Sequence, residues 1–158
     1  MFLRYLIATV LAVWMFFIAT PSQAEVAGLI TQPSANSVEI TIEKFEAAAE
    51  ERGLTIFARL DHAAAAESVG LEMPAATVIV FGNPRIGTPT FIETPTVAID
   101  LPPKAMVWED AEGNVFLSYN SADHLFNTIY ARHGIPADEE TVANVASAYA
   151  AIADAAIN

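Results

Sequence analysis

The chain carries three histidines, His62, His124 and His133, and no cysteine, so thiolate chemistry, disulfides and lipid attachment through cysteine are excluded. His62 follows an alternating segment directly and opens an Ala-rich one, which places its ring at a predicted helix N-terminus. There an uncharged imidazole can ligate a metal or take a proton. The competing reading is a ring that only hydrogen-bonds at the start of a helix. His124 and His133 are nine residues apart on one predicted helix, and about 100° per residue sets them on opposite sides. They cannot chelate one ion together, so a zinc site would need His62 plus carboxylates from distant segments. The sequence assigns no metal ligands and names no cofactor.

Two further groups have chemical potential. The stretch Gly82-Asn83-Pro84-Arg85-Ile86-Gly87-Thr88 lies between an apolar segment and a predicted helical turn, so its backbone N–H groups, with Arg85 and Lys104, can receive a small anion. It is not a phosphate-binding loop of the Walker type, because no Lys precedes Thr88. As a plain turn, its glycines and proline set backbone angles. Asp100 can pair with Lys104 or Arg85. Trp108 and Tyr119 fall on two predicted strands and can line one apolar pocket with polar tips, although core packing is the ordinary role of both. No GxSxG nucleophile elbow accompanies the serines.

The elements that must position these residues are legible from periodicity. Gly28 to Gln32 reads as a short strand. Val38, Ile42, Phe45 and Ala49 recur at helical spacing with Glu39, Glu43, Glu46 and Glu50 on another face, and Asn36 with Glu39 forms the expected capping pair. Leu54 to Leu60 alternates as a strand. Asp61 is placed to cap a short helix from His62 to Val69 that stops at Gly70. Thr77 to Phe81 is continuously apolar after its first residue, the pattern of a central strand covered on both faces. Thr88 and Pro89 are expected to open a short helix over 89–94. Lys104 to Glu109 and Asn114 to Tyr119 form a hairpin around Gly113. Helices are predicted from Ser121 to Gly134 and from Asp138 to Ile152. Strand pairs mixed with helices make this an α+β domain, its mixed or antiparallel sheet containing a hairpin and packed by helices, with one further helix at the C-terminus.

The first residues, Met1-Phe2-Leu3-Arg4, then an apolar run from Tyr5 to Ala19 and Pro21-Ser22-Gln23-Ala24, have the three regions of a secretory signal. The run covers 15 residues, short of the about 20 that span a bilayer. Cleavage after Ala24 is expected; the alternative is a retained anchor. Removing 24 of the 158 residues leaves 134 and takes away Arg4, so the formal charge moves from −12 to −13. One domain suits that length. So acidic a chain repels phosphate backbones, which excludes nucleic acid, and disfavours anionic lipid surfaces. Export to the periplasm or the exterior is the expectation, without stable membrane insertion of the mature chain.

The run His62, Gly70-Leu71-Glu72-Met73-Pro74, Phe81-Gly82-Asn83-Pro84, Gly87-Thr88-Pro89, Ala98-Ile99-Asp100-Leu101-Pro102 with Lys104, Trp108-Glu109-Asp110 with Gly113, and Ser118-Tyr119-Asn120 resembles the family called Domain of Unknown Function 302. The resemblance covers Ala27 to Gly134 and implies a compact α+β domain, with a homodimer as the expected assembly and no established activity. Thr90 stands where an apolar residue is usual after the Thr-Pro pair, and Pro103 where Leu is usual before the Lys. Residues 135–158 fall outside it and read as an added helical extension.

The expected function is a non-enzymatic module that binds a small molecule or a protein through His62, Asn83, Arg85, Thr88, Asp100, Lys104, Trp108 and Tyr119. The alternative is a metal protein or enzyme centred on His62. The exported form is predicted to begin at Glu25, and N-terminal sequencing of the protein from its native compartment checks this. A chain still bearing Met1 refutes it.

Overall fold

The computed structural model describes residues 26–158; the leader expected over 1–24 lies outside them. Five strands form one antiparallel sheet in the order β1-β5-β4-β3-β2. The strands are β1 (Leu29–Pro33), β2 (Thr55–Asp61), β3 (Ala76–Gly82), β4 (Lys104–Glu109) and β5 (Val115–Asn120). Helix α1 (Val38–Glu51) joins β1 to β2, α2 (His62–Glu67) joins β2 to β3, and α3 (Pro84–Glu93) with a 3₁₀ turn (Pro95–Ile99) joins β3 to β4. After β5 come α4 (Ala122–His124), a π-helical stretch (Leu125–Tyr130), and α5 (Glu139–Ile157). The α+β class and the hairpin are as the sequence implies.

One face of the sheet packs on α1 and α5. Ile79 and Phe81 of β3, Val107 of β4 and Leu117 of β5 meet Ile42 and Phe45 of α1 and Ile152 of α5, all nearly inaccessible. Phe81 sits at the centre of an aromatic chain, its ring 5.2 Å from Phe45 and 5.6 Å from Tyr149 in edge-to-face geometry, the arrangement the ring quadrupoles prefer. Each such side chain, fully buried, contributes about 1.5–3 kcal/mol. Burial also raises the Tyr149 hydroxyl above its ordinary titration range, which keeps it neutral in the core. A second, smaller cluster of Val97, Leu101 and Leu125 lies under the 3₁₀ turn and is joined to the first through Tyr149.

Four local expectations are corrected. Helix α1 is capped by Ser37, whose side chain accepts from Ile40 N–H, while Asn36 instead donates to the Ala156 carbonyl at 3.1 Å and accepts from Lys44. β3 is not the central strand; β4 is. Nor is β3 covered by helices on both sides, and its alternate residues Val78 and Val80 are only half-buried. Helix α3 opens earlier than predicted. Asn83 caps it by accepting from Arg85 N–H, Pro84 occupies the first turn, and Pro89 falls in its interior. The signal was a choice between two prolines, and Asn-Pro outranked Thr-Pro.

Gly28 precedes β1 with φ of +78°, and a Cβ built there would lie 2.5 Å from His124 Nδ1 and 2.8 Å from His124 Cβ. Only glycine takes that backbone angle cheaply, and only glycine leaves room for the ring. Gly28→Ala is expected to destabilise the domain by about 1–3 kcal/mol. Urea denaturation measures the loss, and an unchanged midpoint is the contrary result.

Candidate functional site

The 3₁₀ turn and the end of the π-containing helix meet through polar side chains. His133 Nε2 lies 2.7 Å from Asp100 Oδ2, and His133 Nδ1 lies 3.1 Å from Thr96 Oγ1. Arg132 forms an ion pair with the same Asp100 oxygen. The His133 side chain is 9% exposed and that of Asp100 20%. The His133 hydrogen bond, then the charge of Arg132, hold the Asp100 carboxyl below its usual range. The ion pair expected between Asp100 and Lys104 or Arg85 is therefore corrected: the carboxylate turns to Arg132 and His133. Lys104 Nζ instead donates to the backbone carbonyls of Asp100 and Pro102, at 3.0 and 3.2 Å, and Arg85 is exposed on α3. Thr96, Arg132 and His133 were missed as a group because 33 residues separate Asp100 from His133, beyond any local spacing rule.

The remaining site candidates do not converge. His62 is exposed at the start of α2, next to the Asp61 cap that accepts from Ala64 N–H at 2.9 Å. Asn83 and Lys104 stand at the opposite end of the sheet, since Asp61 pairs with Thr77 whereas Val80 pairs with Lys104. β3 is seven residues long, so about 20 Å of strand separates His62 from Asn83. Thr88 is exposed within α3 rather than at its cap, and the anion-receiving loop expected over 82–88 is a strand end followed by helix. A shallow depression of about 590 Å³ beside α2 is lined by Asp61, Ala63, Ala64, Glu67, Leu71, Glu72 and Met73, not by His62. Among the described residues, no three or more His, Asp or Glu side chains are placed to hold a metal ion.

Trp108 and Tyr119 lie on opposite faces, which corrects the pocket expected between them. Tyr119 pairs with Ala105 and packs into the core, its ring 6.2 Å from Tyr149. Trp108 pairs with Phe116 on the other face and stacks on it at 4.9 Å between ring centroids. Its Nε1 donates to Ser118 Oγ at 3.0 Å, and Ser118 meets Thr31 Oγ1 at 2.9 Å. Pairing carries this face across the sheet: Met106 opposite Ser118, Val78 opposite Met106, and Leu60 opposite Val78. At the bulge between Ile56 and Ala58, Phe57 joins it, approaching Gly82, as Pro102 does. Leu60 is 49% and Phe57 48% exposed. The face is mostly apolar, with Thr31, Ser118 and Asn120 toward β1, and its charged strand residue is Lys104, opposite Val80. The strand carboxylates Asp61 and Glu109 pair with Thr77 and Val115 and so fall on the helix side.

Residues 30–155 match the family described as Domain of unknown function DUF302. The chain belongs to this family. The DUF302 match runs beyond Gly134 into α5, whose Ile152, Ala153 and Ala156 are buried. The crystal structure of an uncharacterised conserved DUF302 protein from Bacillus stearothermophilus superposes with a TM-score of 0.69 over 84% of this chain and 100% of that one, at 19% identity, a likeness of fold alone. Proteins named Fluoride-specific ion channel FluC 1 from Brucella suis biovar 1 and FluC 2 from Brucella melitensis biotype 1 are each 43% identical over 94 residues, 60% of this chain. The match spans only 37% and 35% of those two relatives. Among the described residues of this DUF302 chain no helix is long and apolar enough to cross a membrane.

A carboxyl held below its ordinary value of 3.8 contributes stability above that pH and loses it as pH falls toward the lowered value. Asp100→Asn is expected to melt below the wild-type protein at neutral pH, with the gap narrowing once pH drops under about 4. Thermal melts across pH 7 to 3 check this, and a gap that stays constant refutes the role given to the ionised carboxylate.

Proposed function

We propose that this DUF302 domain is an exported binding module, working in the periplasm or outside the cell, and that its binding surface is the sheet face bearing Trp108, Phe116, Met106 and Leu60. The occupant is a second copy of the chain. The observation that carries this is the charge pattern: a protein with 19 acidic residues and a formal charge of −12 keeps the carboxylates of its strands off this one face. Two copies repel through the rest of their acidic surfaces and approach here with no strand carboxylate between them, Lys104 being the one charged strand residue on the face.

The sheet face supplies more than half of the area that a stable pair needs. Five strands about 4.8 Å apart and about 20 Å long give on the order of 480 Å² in projection, and a corrugated side-chain surface exceeds its projection. A stable pair needs about 800 Å² from each partner. Sheets packed face to face at about 10 Å bury side chains of this kind as a shared core, and the half-buried Trp108–Phe116 stack is the natural anchor.

A second reading rests on the Brucella relatives, in which a stretch similar to this chain forms a minor part of proteins named as fluoride-specific ion channels. In that reading the module serves beside a fluoride-conducting membrane protein. A strain lacking this gene should then grow less well in fluoride; unaltered tolerance removes the reading.

Analytical ultracentrifugation tests the main proposal. The wild-type protein is expected to sediment as a dimer at micromolar concentration. Leu60→Glu, which adds a carboxylate to the face, is expected to weaken dimerisation by about 10-fold or more, the equivalent of about 1.4 kcal/mol. A monomeric wild-type protein at high concentration, or a dimer indifferent to Leu60→Glu and Met106→Glu alike, contradicts the assignment of this face.

A further inference from the structure

We propose that Thr96, His133 and Asp100 form a hydroxyl-activating relay, and that Thr96 accepts acyl groups from small activated esters. The inference is independent of the sheet face. It starts from the proton inventory of one imidazole. An ionised Asp100 can only accept hydrogen bonds, and its Oδ2 lies 2.7 Å from His133 Nε2, so the ring proton sits on Nε2. The lone pair then belongs to Nδ1, which accepts from Thr96 Oγ1–H at 3.1 Å. Arg132 Nε comes within 3.2 Å of Nε2, but a nitrogen that donates to Asp100 has no lone pair to offer. The guanidinium bonds to the carboxylate instead.

Hydroxyl, imidazole and carboxylate thus stand in the order that nucleophilic acyl transfer requires. The base is held from both sides and is 9% exposed, while the hydroxyl it serves belongs to an exposed residue. A short 3₁₀ turn eclipses side chains three apart, so Ile99, 79% exposed, lies on the same side as Thr96 and offers an apolar ledge to an acyl group. An exposed nucleophile suits unhindered esters with good leaving groups.

The chemistry closes on itself. Thr96 Oγ1 attacks the ester carbonyl carbon as its proton passes to His133 Nδ1. The bond from that carbon to the leaving oxygen breaks, and the alcohol departs with the proton from His133. Water, giving a proton to His133, then attacks the acyl-Thr96 ester. The carboxylic acid leaves, and the proton returns to Thr96 Oγ1. One ester and one water become one acid and one alcohol. Thr96 and His133 act on the reacting atoms; Asp100 is a positioning residue that fixes the tautomer.

Incubation of the full chain with p-nitrophenyl acetate tests the relay. Nitrophenol release and peptide mass spectrometry are the readouts, on variants whose melting temperature shows them folded. An acetyl group is expected on Thr96, in the tryptic peptide that ends at Lys104. Thr96→Val is expected to lower release roughly 10-fold or more, and Thr96→Ser to keep it. Asp100→Asn should slow acylation and Asp100→Glu restore part of it, a pattern that loss of packing alone does not give. Acetyl groups found only on lysines or the amino terminus, or a Thr96→Val protein as active as wild type, overturns the proposal. His133→Gln adds a third arm, and if it fails to fold the two Thr96 variants still decide. Dimer formation by ultracentrifugation is unaffected by Thr96→Val, so this proposal and the sheet-face reading fail separately.

Discussion

A sheet has two faces, and the described chain supplies packing helices for one. Along β4 the alternation is plain. Ala105 and Val107 are sealed under α1 and α5, while Met106 and Trp108 between them are only half-buried. The strand period of two makes this unavoidable, because every residue turned inward sends its neighbour outward. What the sequence chooses is the chemistry of the outward set, and here Met106 and Trp108 are apolar, with Lys104 at the start of the strand the charged member. On a protein this acidic, such a choice has a physical consequence: water is the poorest available neighbour for that face.

The helices on the covered side are tied to the sheet at its weakest place. β2 is an edge strand, open to unwanted pairing along one side. Its Arg59 faces the helix layer and meets Glu46 of α1 in a two-pronged pair, Nε to Oε1 at 2.5 Å and Nη2 to Oε2 at 2.6 Å, and its Nη1 reaches Glu39, two turns earlier on the helix, at 3.5 Å. Arg59 is 42% exposed, so water screens the pair and its contribution is modest. Its geometry, together with the bulge between Ile56 and Ala58, orients the edge and twists it out of register with a passing strand. Periodicity places the glutamates of α1 on a face away from its apolar stripe, and two of them, Glu39 and Glu46, anchor β2.

Most of the secondary structure was legible because it is written in short-range signals. Asp61 before an Ala-rich run, Gly53 and Gly70 at helix ends with φ of +73° and +76°, and the Glu109 to Val115 hairpin each need only a few neighbouring residues to be read. Position in the sheet was not legible in the same way. The run Thr77 to Phe81 looks identical whether its second face is covered by helices or left apolar for another surface, so its pattern alone points to a central strand. The site residues failed to converge for a related reason. His62 and Asn83 bracket the β2–β3 pair at opposite ends, and motif spacing along a chain says nothing about the length of the strand between.

The Asp100 group shows what long range adds. Asp100 follows the 3₁₀ turn, and its backbone carbonyl holds Lys104 while its carboxylate holds Arg132 and His133. One residue therefore fastens the entry to β4 and the end of the π-containing helix together, over the small cluster of Val97, Leu101 and Leu125. Burial of Val97, Leu101 and Leu125 stabilises the contact but is non-directional, so by itself it does not fix the relative placement of two segments with much precision. Directional bonds from a carboxylate supply that placement, because they weaken steeply with angle as apolar contact does not. The imidazole between Asp100 and Thr96 is thereby fixed in position and in tautomer at once, which makes the same contacts that close the second core also determine the chemical character of the Thr96 hydroxyl.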